Sequence, residues 1–274
     1  MATVVTGPIR EDGRPDFLSG TPRAHALDRW IYVVSAALFI VIVLVGFIPD
    51  SVMKVQMMKA GLRPPFPPIL HAHAVLMGSF LLFLLSQTWW VATGKQVRHE
   101  RAGPFGGLLA GALVLVGFIL APTMYHQVAG GLSVAPPEAL PAMRELMTHV
   151  ENILLLQLEA GVLFALFITL GLAARRSDPG FHKRMMLIAP AMALGAAFAR
   201  MTWLPTTMPN SPATIQIYQI LALAPLFVWD LLRNRRIHRA YLILGAFYIP
   251  ASILVDLAWD TPWWHDMSHR IMGI

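Results

Sequence analysis

The chain has no cysteine in its 274 residues. That excludes disulfides, thiolate zinc sites, iron–sulfur clusters and the Cys-x-x-Cys-His attachment of c-type haem. Any metal or haem must be held by His, Met or carboxylate. Charge is scarce as well: 13% of residues are charged, about half the share of a soluble domain, so a soluble globular enzyme is close to excluded. There is no nucleotide-binding glycine motif, no His-Glu-x-x-His and no Gly-x-Ser-x-Gly. No lysine falls inside an apolar run, which disfavours a retinal Schiff base. What remains is apolar: 56% hydrophobic residues and a mean hydropathy of +0.59. The composition is that of an all-α integral membrane bundle. The net charge of +6 reflects loop asymmetry rather than a nucleic-acid surface.

Apolar runs of about 20 residues mark spans. Seven are expected: Trp30–Ile48, Pro68–Ala92, Pro104–Thr123, His149–Ala174, Met185–Trp203, Ala213–Leu232 and Ala240–Trp259. The fifth is short and carries Pro190. Residues 1–28 read as a polar cytoplasmic tail, 29–260 as the membrane domain, and 261–274 as an outer interfacial segment. The tail does not read as a signal peptide, because the first apolar run is long enough to span and lacks a small-residue cleavage site.

Loop charges support the count. One side collects four Arg of the tail (Arg10, Arg14, Arg23, Arg29), then Lys95, Arg98 and Arg101. The same side takes Arg175, Arg176, Lys183 and Arg184, and finally Arg233, Arg235, Arg236 and Arg239. The other side holds Lys54, Lys59, Arg63, Arg144, Arg200 and Arg270. This bias puts the N-terminus in the cytoplasm and the C-terminus outside, in a bacterial inner membrane. Pro104 and Pro141 suit the first turns of the third and fourth helices. Pro190, Pro225 and Pro250 should kink the last three. Gly107 and Gly111 favour close helix packing.

In this topology His71, His73, His126, His149, His265 and His269 lie at the outer face, and His25, His99, His182 and His238 at the inner face. The ordinary reading of any one of them is a tolerated interfacial side chain. Their arrangement is more informative. Helices two–three and four–five form two similar hairpins, each opening with an outer His (His73; His149) and crossing to a basic inner loop with a second (His99-Glu100-Arg101; His182-Lys183-Arg184). A two-fold repeat sets His73 opposite His149 and His99 opposite His182. Paired imidazoles from facing helices are what bis-imidazole haem b requires, and the inner cations suit its propionates. On this reading His99 and His182 sit in loops, beyond the apolar runs.

This layout resembles the cytochrome b561 class, in which four consecutive helices hold two haems with ligands from alternate helices. The resemblance is one of arrangement and covers roughly residues 68–204 as a cofactor-binding core. It implies haem-b-mediated membrane electron transfer, with a quinone or a redox protein as partner. The segments HAHAVLMG, VATGKQVRHERAG and DPGFHKRMM also resemble a family of uncharacterised bacterial multi-pass membrane proteins, a likeness that implies no activity.

Two rival readings come from other residues. Eleven of the fourteen Met that follow the initiator fall in the outer half. Met53 and Met57 are four apart, as are Met143 and Met147, and His265 and His269. Thioether and imidazole donors without Cys suit copper, so His71, His126, His265, His269, Met53 and Met57 are its candidate ligands. The plain alternative is that Met packs apolar helix ends. On the fourth helix Glu145, His149, Asn152 and Glu159 form a polar stripe within about 80°. On the second, His73, Met77 and Gln87 share a face. An acid as deep as Glu159 costs about 2.5–3.5 kcal/mol to insert and is a functional candidate: a proton relay, or part of a transporter with the kinked last helices. A cofactor-free accessory subunit of a membrane complex needs none of these sites.

Overall fold

The computed structural model describes residues 16–19 and 25–274. Arg10, Arg14 and Arg23 of the expected tail lie outside the described residues. After a 3-10 turn at Phe17–Ser19, the helices are α1 (Ala26–Lys59), α2 (Pro68–Ala92), α3 (Gln96–Ser133), α4 (Leu140–Ala173), α5 (Pro179–Ala191), α6 (Gly195–Phe198), α7 (Ala213–Asn234), α8 (Arg239–Ala258) and α9 (Pro262–Met272). No strand occurs among the described residues. Six helices, α1–α4, α7 and α8, are long and apolar enough to cross a membrane. Their outward faces carry Val75, Leu108, Leu115, Val162, Leu242 and Leu254, all more than half exposed, which suits contact with lipid rather than water.

Helix starts follow their local chemistry. Pro68 opens α2 and Pro179 opens α5, where the missing N–H costs no hydrogen bond. Asp178 caps α5 by accepting from Phe181 N at 2.8 Å, and Thr261 caps α9 by accepting from Trp264 N at 3.2 Å. Pro141 lies in the first turn of α4, as expected. Pro104 does not open α3: that helix begins eight residues earlier, at Gln96, and contains Pro104 in its interior. The apolar run marks only the bilayer-thick part of α3, and the helix continues through polar residues beyond it. For the same reason His99 and His182 are not in loops but in the first turns of α3 and α5.

The fifth apolar run is not one long helix. It is interrupted at residues 192–194, where the backbone tightens into 3-10 turns (Met192 N to Ala189 O, Ala193 N to Pro190 O, Leu194 N to Ala191 O). Pro190, in the last turn of α5 just before the break, withholds the N–H that would bond the Met186 carbonyl. This broken segment is the most enclosed part of the bundle: Leu187, Ile188, Ala189, Ala191 and Met192 have no exposed surface. Its lower part packs on α4, α7 and α8, and α6 packs on α1 and α7. The approach of α6 to α1 requires Gly46, where a Cβ would run into the Ala197 carbonyl. The main core joins Phe39, Phe80, Phe167, Leu187, Met192 and Leu226. A second, smaller core lies under α9 and joins Tyr125, Met147, Leu154, Trp259 and Trp264.

Candidate functional site

One end of the bundle gathers the start of α1, the α2–α3 turn, the start of α5, and the end of α7. It is fastened by buried charge. Arg184, with no exposed surface, spends all five N–H groups. It forks onto Asp230 (Nε to Oδ2 at 2.5 Å, Nη2 to Oδ1 at 2.9 Å) and onto Asp16 (Nη1 to Oδ2 at 2.9 Å, Nη2 to Oδ1 at 3.1 Å). Its last N–H goes to the Gly180 carbonyl at 2.8 Å. Asn234 donates to both carboxylates. Alongside, the buried Asp28 accepts from Arg233 and from Trp229 Nε1.

Two residues before Arg184 is His182. Its ring centre lies 6.3 Å from that of His99, with the planes at 61°. His182 Nδ1 is 2.8 Å from the Gly171 carbonyl. A carbonyl only accepts, so Nδ1 carries the proton and Nε2 presents its lone pair. Metal-binding histidines are oriented in this way by a carbonyl on the other ring nitrogen. The close seating of α5 on α4 that allows this contact depends on Gly171, where a Cβ would sit 2.9 Å from Met185 Cβ. His99 Nδ1 is buried with no hydrogen-bond partner, and so are both amide atoms of Gln87. Lys183 is close enough to both rings to bear on their charge.

At the other end the expected outer pair is not joined. His73 is half-buried on α2 and His149 is exposed on α4, and they share neither a hydrogen bond nor a ring contact. His71 is exposed and meets Phe66 edge-on at 6.1 Å; the exposed His126 meets Tyr125 at 6.0 Å. Met53 and Met57 are exposed on α1. His265 and His269 do come together, on one face of α9, but around Glu151. Its two oxygens are 2.6 Å from His265 Nδ1 and from His269 Nε2. Glu151 is only 4% exposed. Trp264 Nε1 donates to its carbonyl, Tyr125 meets Ser268, and Asn152 donates to Asp260, which lies 3.3 Å from His265 Nε2. These bonds hold α9 on α3 and α4. Among the described residues no group of three or more His, Asp or Glu is arranged to hold a metal ion. The sequence reading overlooked Glu151, although two His four apart on an amphipathic helix call for a carboxylate partner.

Midway along α4, the buried Glu159 accepts from Ser252 Oγ of α8 at 2.7 Å and from Gln216 Nε2 of α7 at 3.0 Å. Tyr248 Oη shares its one proton between the Gln216 carbonyl at 2.8 Å and Gln219 Oε1 at 2.9 Å. Gln219 Nε2 in turn donates to the Met192 carbonyl at the break in the fifth segment. One polar network thus ties α4, α7, α8 and the break together. Comparison of the chain with protein-family models, curated proteins and solved structures finds no match.

Proposed function

We propose that this multi-pass membrane protein carries one b-type haem at its inner end, ligated by His99 and His182, and serves in membrane electron transfer. The observation that carries the reading is the facing histidine pair. The ring centres of His99 and His182 are 6.3 Å apart, so these two residues, from the first turns of facing helices, would hold the group between them. The donors fit: His182 has its Nε2 lone pair free for a metal, and His99 makes no side-chain hydrogen bond that ligation would have to break. Lys183, Arg98 and Arg101 supply cations beside the pair for propionates. The bound group would supply one-electron redox chemistry, as in the b561 class. In this proposal the interrupted segment is the fifth of seven passes. Arg184 meets Asp230 at one of its ends, and Arg200 meets Asp50 of α1 at 3.2 Å at the other. The N-terminus is then cytoplasmic and the membrane the bacterial inner membrane. The test is a reduced-minus-oxidised visible spectrum of the purified chain, with and without His99→Ala and His182→Ala. A b-type band lost in both variants supports the site. A band that survives both removes it.

A second reading has its own observation. Glu159 is bonded to two other helices beside a broken helix, an arrangement of polar groups that transporters place near the midplane. In that reading the chain is a cofactor-free transporter, and Glu159→Gln abolishes an ion- or proton-dependent flux in vesicles while leaving the fold intact. Copper handling by His265 and His269 gains less, since each already bonds Glu151 through one ring nitrogen.

A further inference from the structure

The inner histidines are supported unequally. His182 has its Gly171 carbonyl, whereas His99 Nδ1 is buried and bonded to nothing. A second set of unpaired atoms lies on the neighbouring helix α2. Gln87 is 8% exposed, and neither its Oε1 nor its Nε2 has a partner. Helix register brings the two together. Phe83 of α2 packs against α3 at Phe105, with ring centres 5.4 Å apart, and at Gly106, where a Cβ would meet the Phe83 ring. The helices are antiparallel, so one turn along α2, at Gln87, corresponds to one turn back along α3, near Ala102. His99 is one further turn back. Gln87 falls on the buried stripe of α2 with Phe80 and Leu84, and His99 continues the stripe of Gly106, Leu109 and Leu113 on α3. The two positions are therefore offset along the helix axes by roughly one turn, about 5 Å.

A buried amide left wholly unpaired is unusual in a native core. A leucine would fill the same space without that defect. An acceptor within a turn of a ligating histidine has a use, because such a ring donates its second N–H to a carbonyl or carboxylate that fixes its orientation and raises its basicity.

Resting on the haem reading above, we propose that Gln87 is the positioning residue of His99: its Oε1 accepts the Nδ1–H of His99 when His99 ligates through Nε2. Gln87 then does for His99 what the Gly171 carbonyl does for His182. It touches neither the bound group nor the metal.

The test uses the full chain in detergent, titrated with haemin and followed by absorbance, redox potentiometry and thermal unfolding of the haem-free form. Gln87→Leu is expected to leave the haem-free protein as stable as wild type or more so, to lower haem affinity about 10–100-fold, and to raise the midpoint potential. Gln87→Glu, which keeps an acceptor, is expected to restore affinity and to lower the potential. Gln87→Leu with wild-type affinity and potential overturns the role of Gln87 while leaving the site standing. Gln87→Leu that loses haem-free stability as well makes the residue structural and also overturns it. A wild-type chain that takes up no haem overturns the site and this role together.

Discussion

Arg184→Met removes a cation that forks onto two buried carboxylates. Asp16 and Asp230 are 3% and 1% exposed, and Arg184 forks onto both. Methionine fills much of the space but leaves both acids in a low-dielectric site without the guanidinium that pairs them. Breaking a buried ion pair from one side costs about 3–5 kcal/mol. Both carboxylates keep other donors, Leu18 N on Asp16 and Asn234 on each, so a loss within that range is expected. Arg184→Lys keeps the charge, loses both forks, and should fall between wild type and Arg184→Met. The assay is reversible unfolding in mixed detergent micelles followed by circular dichroism. A second comparison isolates the cause: adding Asp230→Asn to Arg184→Met removes one orphaned charge and should recover part of the loss. A loss under about 1 kcal/mol for Arg184→Met, or no recovery in the double variant, would refute the reasoning. Because His182 lies two residues away on the same helix, the single variant should also weaken whatever the histidine pair binds.

Other substitutions probe the remaining contacts. Gly171→Ala sets a Cβ against Met185 and should cost about 1–3 kcal/mol, with a larger effect on the His99–His182 site than Gly245→Ala, where the nearest atom is 3.8 Å away. Gly46→Ala, against the Ala197 carbonyl, should destabilise by a similar about 1–3 kcal/mol, read from the same unfolding curves. Glu159→Leu leaves the Ser252 hydroxyl without its acceptor and the Gln216 amide with only the Ser252 carbonyl at 3.5 Å, at about 1–3 kcal/mol for a buried group left unpaired, whereas Glu159→Gln should cost less. His269→Ala removes one of the two imidazoles on Glu151 and should loosen the end of α9, which His265, Trp264 and Ser268 still hold, seen as modestly faster proteolysis at the C-terminal end with the rest of the chain intact.

Much of the bundle was legible because bilayer thickness imposes a length on apolar runs. Pro68–Ala92 matches α2 at both ends, and Ala213 opens α7 as read. The expectation failed where a helix outlasts its apolar part. Gln96–Gly103 contains five polar or charged residues yet continues α3, and that error moved His99 into a loop. The break at residues 192–194 was foreshadowed by Pro190 and by the short run. Its cap was not foreshadowed, since Gln219 finds the Met192 carbonyl only through tertiary packing. The repeated hairpins set His99 near His182, and their rings are 6.3 Å apart, but the same repeat also set His73 opposite His149, and those two share neither a hydrogen bond nor a ring contact. The clamp on Glu151 was not legible, because that residue sits beside the polar stripe of α4 rather than within it.

The most direct measurement is the dithionite-minus-air visible spectrum of the purified full chain, taken with iron analysis of the same sample. The account predicts a reduced b-type α band, near one iron per chain, and loss of both in His99→Ala and in His182→Ala. A flat spectrum without iron from a folded chain supplied with haem would contradict it.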